Sequence, residues 1–226
     1  MMDWVAIRLS LRLAFWTTAL LLVIGTPLAY WLAFGRTTLR RLVEALVALP
    51  LVLPPTVLGF YILMATGPQS PLGRLYETLT GRRLPFSFQG LLVASIVYSL
   101  PFAVQPLVTA FRGVDRRLME AAWCLGSGRL ETFFRVVLPL SWPSVIAASA
   151  LTFAHTIGEF GVVLMVGGNL PGVTRTVSIA IYDEVQALNY AAAGQTALVL
   201  LVFSFVVLTI VYSLRRDVWA VWPMKS

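Results

Sequence analysis

Five stretches of this chain carry no charged side chain: residues 13–35, 45–73, 84–111, 136–158 and 185–214, which are 23, 29, 28, 23 and 30 residues long. About 20 apolar residues, rising about 1.5 Å each, cross a hydrocarbon core about 30 Å thick, so each stretch is long enough to span a bilayer. Only helices and closed barrels satisfy every backbone N–H and C=O in lipid. A barrel would alternate in segments of about ten residues, and these runs do not. The expected fold is all-α: one polytopic membrane domain over 1–226, with five spanning helices at about 13–35, 43–66, 88–111, 139–166 and 191–214. The first run reads as a retained span rather than a cleaved leader. It exceeds the roughly 7–15 residues of a signal core, and Arg36, Arg40 and Arg41 follow it as a stop-transfer cluster.

Charge supports the same class. Only 12% of residues are charged, against about 25% in soluble domains, which excludes a soluble enzyme or a disordered tail. The net charge of +7 need not mean a nucleic-acid partner, because cytoplasmic arginines give membrane proteins the same excess; none is expected. With the N-terminus outside and the C-terminus cytoplasmic, eleven basic residues face the cytoplasm: Arg36, Arg40, Arg41, Arg112, Arg116, Arg117, Arg129, Arg135, Arg215, Arg216 and Lys225. Six lie outside: Arg8, Arg12, Arg74, Arg82, Arg83 and Arg175. The single cysteine, Cys124, excludes an internal disulfide and a multi-cysteine metal site. The single lysine, Lys225, excludes a Gly-rich loop whose lysine cradles ATP phosphates. Energy for any work must come from another chain.

Prolines interrupt the spans: Pro27 in the first, Pro50, Pro54 and Pro55 in the second, Pro101 and Pro106 in the third. Each removes a backbone donor, which lipid-depth structure tolerates where other helices or water re-satisfy the carbonyl. With Thr56, Gly59, Ser95, Ser99 and Gln105 nearby, they fit either a bundle around a pathway or kinks required for close packing.

Residues 112–138 are too charged to span. After Asp115, a suitable N-cap, Leu118, Ala122 and Leu125 recur at helical spacing, and Gly126 suits a helix end. The expectation is a short amphipathic helix on the cytoplasmic face, between the third and fourth spans, able to dock into a groove on another protein. The segment resembles the E-A-A-x3-G-x9-I-x-L-P loop of ABC-importer membrane subunits: Glu120-Ala121-Ala122, Gly126 and Leu138-Pro139 match, with Val136 where isoleucine is usual. The resemblance implies that this is a coupling helix, seated on a separate ATPase through Arg116, Leu118, Glu120, Ala121, Ala122 and Leu125, with Gly126 setting the turn.

Three further segments resemble the molybdate-importer permeases: Leu49–Thr56, Gly158-Glu159-Phe160-Gly161, and Gly167–Gly172 followed by Thr174-Arg175-Thr176. That resemblance implies a non-enzymatic permease for molybdate or tungstate, with sulfate or thiosulfate as the alternative cargo. It implies as partners a second copy of the chain, two ATP-binding cassette ATPase subunits holding the ATP and magnesium, an extracytoplasmic oxyanion-binding protein, and membrane lipid. No cofactor is expected on this chain. Pathway or gate candidates are Pro54, Pro55, Thr56, Gly158, Glu159, Gly161 and Asn169. Neutral donors and helix N-termini can hold an oxyanion transiently without a permanent cation, so the lack of Arg and Lys within the five runs is compatible with an anion pathway for either cargo.

An intramembrane carboxylate is costly, so Glu159 is a functional candidate. His155, four residues earlier, shares its helix face. A proton relay, a metal pair or an acid–base pair of an intramembrane enzyme would use both residues, although two ligands are too few for a closed zinc site. The preferred expectation is structural. Glu159 accepts bonds from N–H groups near Gly158 and Gly161, or from Arg175, holding a helix break near the outer gate, paired or turned from the pore. Beyond it, a Gly-Asn-x-Pro-Gly turn precedes a predicted amphipathic helix at Thr176–Leu188, part of the outer gate or of a docking face.

Overall fold

The computed structural model describes residues 3–35 and 37–220, with side chains as far as Ser213. Arg36 and Lys225 of the cytoplasmic basic set, and the side chains of Arg215 and Arg216, lie outside the described residues. The described chain is helical and contains no strand. Among the described residues, three helices are long and apolar enough to cross a membrane alone, and up to five spans result if each of two bent helix pairs is one span.

Helix α1 runs Trp4–Phe34, nine residues further toward the N-terminus than the expected span. Asp3 explains the early start: its carboxylate accepts from the N–H groups of Val5 and Ala6 at 3.1 and 3.0 Å, satisfying donors that a helix start leaves free. Ala6, Ser10, Leu13, Ala14, Thr17, Leu21, Gly25, Ala29 and Leu32 form its buried stripe, mostly small residues that let neighbouring helices approach. Gly25 marks the tightest point, since a Cβ there would stand 3.3 Å from Val104 Cγ2.

The second expected span is two helices, α2 (Leu39–Val52) and α3 (Pro55–Thr66), bent by 117°. Pro54-Pro55 supplies the reason: proline cannot donate into the preceding turn, and it starts a helix readily at N1. The two halves still reach opposite ends of one neighbour. Val47 of α2 joins the core cluster of Val104, Leu107 and Val108, whereas Ile62 of α3 joins that of Ala94. The neighbour is α5 (Phe88–Arg112), which matches the third expected span. Between them, α4 (Pro71–Thr80) is a short helix capped by Ser70, whose Oγ accepts from Gly73 N–H at 2.8 Å.

After α5 come α6 (Arg116–Cys124) and α7 (Arg129–Thr132), then a π-helical turn, Phe133–Val137, and α8 (Leu138–Leu140). In the π turn the Leu138 N–H reaches Phe133 O, five residues back, a widening that sits immediately before Pro139 and its missing donor. The chain then bends by 73° into α9. The fourth expected span, 139–166, is not continuous. It is α9 (Trp142–Gly158) followed by α10 (Gly161–Gly167), interrupted at Glu159-Phe160. The predicted Thr176–Leu188 helix is α11 (Val177–Gln186), buried at Val177, Ile179 and Ala180 but not at Val185. The last span, α12 (Tyr190–Ala220), begins one residue before expectation and continues past its expected end.

Helix α5 is the hub, packed against α1, α2, α9 and α10, while α12 lies outside against α9 and α11. The largest core cluster gathers the ends of these helices nearest α6: Ala29 and Leu32, Val47, Leu107 and Phe111, Met119, Val137 and Ala148.

Candidate functional site

Two regions carry the sequence candidates. The first is α6. Asp115 caps it, its carboxylate accepting from Arg117 N–H at 2.9 Å, and Gly126 follows its end at φ +87°, the left-handed conformation that glycine adopts without strain. One side chain, Met119, is 3% exposed and enters the main core beside Phe111 and Val137. That anchor fixes the helix to the end of the hub, and sequence periodicity missed it. The Leu118 and Leu125 positions of the predicted stripe face outward, 48% and 87% exposed, as does Trp123 at 39%. Ala122 is half-buried and Ala121 is exposed. Glu120 pairs with Arg116 at 3.0 Å, about half a turn round the helix from Leu118. The helix therefore exposes apolar side chains on either side of one buried methionine, with the ion pair on the side of Trp123.

Just beneath it, Arg112 at the end of α5 ties to α2: its Nη2 donates to the Glu44 carboxylate at 3.0 and 3.1 Å and to Leu32 O at 3.3 Å. Glu44 also meets Arg40 at 3.9 Å. This cluster joins three helix ends at the root of α6.

The second region is a cavity of about 630 Å³ where the α2–α3 break meets the α9–α10 break. It brings together Pro55, Thr56, Gly158, Glu159 and Gly161, and adds Tyr98 and His155. Pro54 and Asn169 do not line it. Gly161 permits the two breaks to touch: a Cβ there would be 2.7 Å from Pro55 Cβ. One turn further, a Cβ on Gly59 would be 2.7 Å from Met165 Cβ. The second break has its own logic, since α9 ends at Gly158 and Glu159 turns extended, at φ −67° and ψ 135°.

Glu159 is 4% exposed, and neither carboxylate oxygen has a hydrogen-bond partner among the described residues. The expected pairing with Arg175 or nearby N–H groups is absent. Ser95 of α5 faces the carboxylate, but the two do not reach hydrogen-bond geometry. Arg175 is engaged elsewhere. Its Nε donates to Asn169 Oδ1 at 2.7 Å and meets Asp183 at 3.4 Å, while Asn169 Nδ2 donates to both Asp183 oxygens at 2.9 Å. Asn169 thus clamps the turn after α10 onto α11 instead of lining the cavity.

His155 is fixed on three sides. Its ring stacks on Phe102 with centroids 3.8 Å apart and lies 4.9 Å from the Tyr98 ring. Nδ1 is 3.0 Å from Ser99 Oγ, which is itself 3.0 Å from Thr156 Oγ1. Thr156 donates to Thr152 O at 2.8 Å. Each hydroxyl has one proton. Thr156's goes to that carbonyl, Ser99's goes to Thr156, and the third contact is completed by a proton on Nδ1. Ring tautomers are assigned from such networks, and this one leaves Nε2 of the neutral ring with its lone pair. Spacing alone paired His155 with Glu159; Ser99, Thr156 and Phe102 reach the ring only through the packing of α5 on α9.

Comparison with known proteins places the chain. Residues 25–220 match the family model described as "Binding-protein-dependent transport system inner membrane component". The molybdenum transport system permease protein ModB of Azotobacter vinelandii is 56% identical over 214 residues, covering 95% of each chain. ModB of Escherichia coli (strain K12) is 37% identical over 185 residues, covering 81% of this chain and 80% of that one. Among solved structures, an inward-facing MetNI methionine ABC transporter shares the fold at TM-score 0.70 and 20% identity, covering 96% of this chain and 95% of that one. The chain belongs to the inner-membrane components of binding-protein-dependent transport systems.

Proposed function

We propose that this chain is the translocating subunit of an ATP-driven molybdate or tungstate importer, working as a pair of identical copies. The observation that carries the reading is α6, a short helix with Leu118, Trp123 and Leu125 exposed, Glu120 paired to Arg116, and Met119 locked into the core. Exposed apolar side chains on a short, anchored helix suit helix-in-groove docking, and the buried methionine couples the helix to the core shared by α1, α2, α5 and α9. Two ATP-binding cassette subunits would hold ATP and magnesium, and their closure would draw the paired α6 helices together and rock the bundle outward. An extracytoplasmic binding protein would deliver the anion. The N-terminus lies outside and the C-terminus in the cytoplasm, in keeping with the eleven-to-six distribution of basic residues. The Pro55–Thr56 and Gly158–Gly161 cavity is the part of the pathway contributed by each copy, and the Asn169–Asp183 clamp shapes the outer face.

The cargo reading rests on the relatives named for molybdenum, the first at 56% identity. Its test is uptake by the reconstituted assembly. Labelled molybdate should accumulate with ATP and be displaced by unlabelled tungstate but not by a hundredfold excess of sulfate. Equal displacement by sulfate would assign the chain to sulfate transport.

A further inference from the structure

We infer that one face of α5, carrying Tyr98, Phe102, Gln105, Thr109 and Arg112, is the wall along which a tetrahedral oxyanion passes from the two breaks toward the α6 end, with the Gln105 amide as its mid-span donor. This rests on the importer reading and adds a route to it. The five residues follow one another at spacings of four, three, four and three. On a helix of about 3.6 residues per turn, that places them within about 80° of one another along about 21 Å of its length. Three cavities open along the line. Tyr98 lines the one at the breaks, of about 630 Å³. Phe102, Gln105 and Thr109 line a second of about 700 Å³, which α9 and α12 also wall. Gln105 and Thr109 line a third of about 480 Å³ as well, together with Arg41 and Arg112. The same two side chains thus join one cavity to the next.

Polarity along this face is the reverse of what lipid requires. Between Val93 and Arg112, the exposed residues of α5 are Gln105 and Thr109, and Gln105 stands about 10 Å in from the helix end. Polar side chains at that depth face a bundle interior or a water-filled cavity. Pro106 cannot donate to Phe102 O, a carbonyl on the same line that water in the cavity would satisfy. Thr109 Oγ1 gives its proton to Gln105 O at 3.0 Å, so the Gln105 amide is the neutral donor this face offers. Charge rises toward α6. There Glu44 is held by Arg112 and Arg40, while Arg41 lines the third cavity, exposed and without a carboxylate partner among the described residues. Three guanidiniums against one carboxylate draw an anion toward that end. At the other end both oxygens of Glu159 are sealed from the first cavity.

The test is thiol accessibility and molybdate uptake in the reconstituted assembly. In a C124S background, Q105C and T109C should react with a negatively charged methanethiosulfonate faster than with a positively charged one, and labelling should block uptake. L201C, on α12 at a residue 64% exposed and outside these cavities, should stay unlabelled. Q105E, nearly isosteric and checked for native elution by size exclusion, should cut uptake by more than about tenfold through charge repulsion, with ATP hydrolysis retained. Q105M, which loses the donor without adding charge, should cut it less. R41Q should lower uptake and flatten its dependence on ionic strength. Unreactive thiols at 105 and 109, or wild-type uptake by Q105E, overturns the route. So does a Q105C disulfide between two copies with uptake intact, which would make this face a contact between copies. Reactive thiols with the stated charge preference in an assembly that never accumulates oxyanion would instead sink the importer reading and leave the aqueous face standing.

Discussion

Glycine positions set the geometry where the two breaks meet. A methyl at residue 161 would stand 2.7 Å from Pro55 Cβ, and overpacking of this kind costs about 1–3 kcal/mol. G161A should therefore lower the thermal midpoint of the detergent-solubilised chain, and G158A should not by the same route, because nothing lies within 4 Å of a Cβ there. The comparison of the two midpoints checks the contact. Residue 159 shows how much a sequence discloses. Gly158 and Gly161 flanking a carboxylate indicated a break, and the chain does break there. The partners expected for Glu159 were wrong, because Arg175 is recruited by Asp183, a residue that pattern reasoning left inside a helix. The orphaned carboxylate is a property of packing among α5, α9 and α10, which a linear pattern does not contain.

Among the elements, α6 was the most legible, since its cap, its glycine stop and its spacing to Leu138-Pro139 are local features. The face it presents was only half legible. Helical periodicity marks Leu118, Ala122 and Leu125 as apolar, but it does not say that Met119, one position away, turns to the core. M119A removes that anchor at a cost of about 2–5 kcal/mol for a buried methionine. It should reduce ATP-driven uptake more than ATP hydrolysis, measured in the same proteoliposomes. Gly126 acts through backbone alone, at φ +87° with open space around it. G126A should carry a strain of about 1–2 kcal/mol and uncouple hydrolysis from uptake, whereas G126N, tolerant of the left-handed region, should retain more coupling. The number of spans was legible and the angle of the bends was not: a count of uncharged residues measures length, and the 117° bend within the second span depends on prolines and freed backbone donors that leave the count unchanged.

For the whole molecule, the central claim is directional: α6 lies on the cytoplasmic side and is covered by an ATPase. Nature supplies a probe, because the chain's one cysteine, Cys124, is exposed at the end of that helix. The most direct measurement is labelling of Cys124 by a membrane-impermeant maleimide in oriented vesicles. Inside-out vesicles stripped of peripheral subunits should label, right-side-out vesicles should not, and adding back the ATPase should protect the thiol. Labelling from the outer side, or a rate unaffected by the ATPase, would contradict the account.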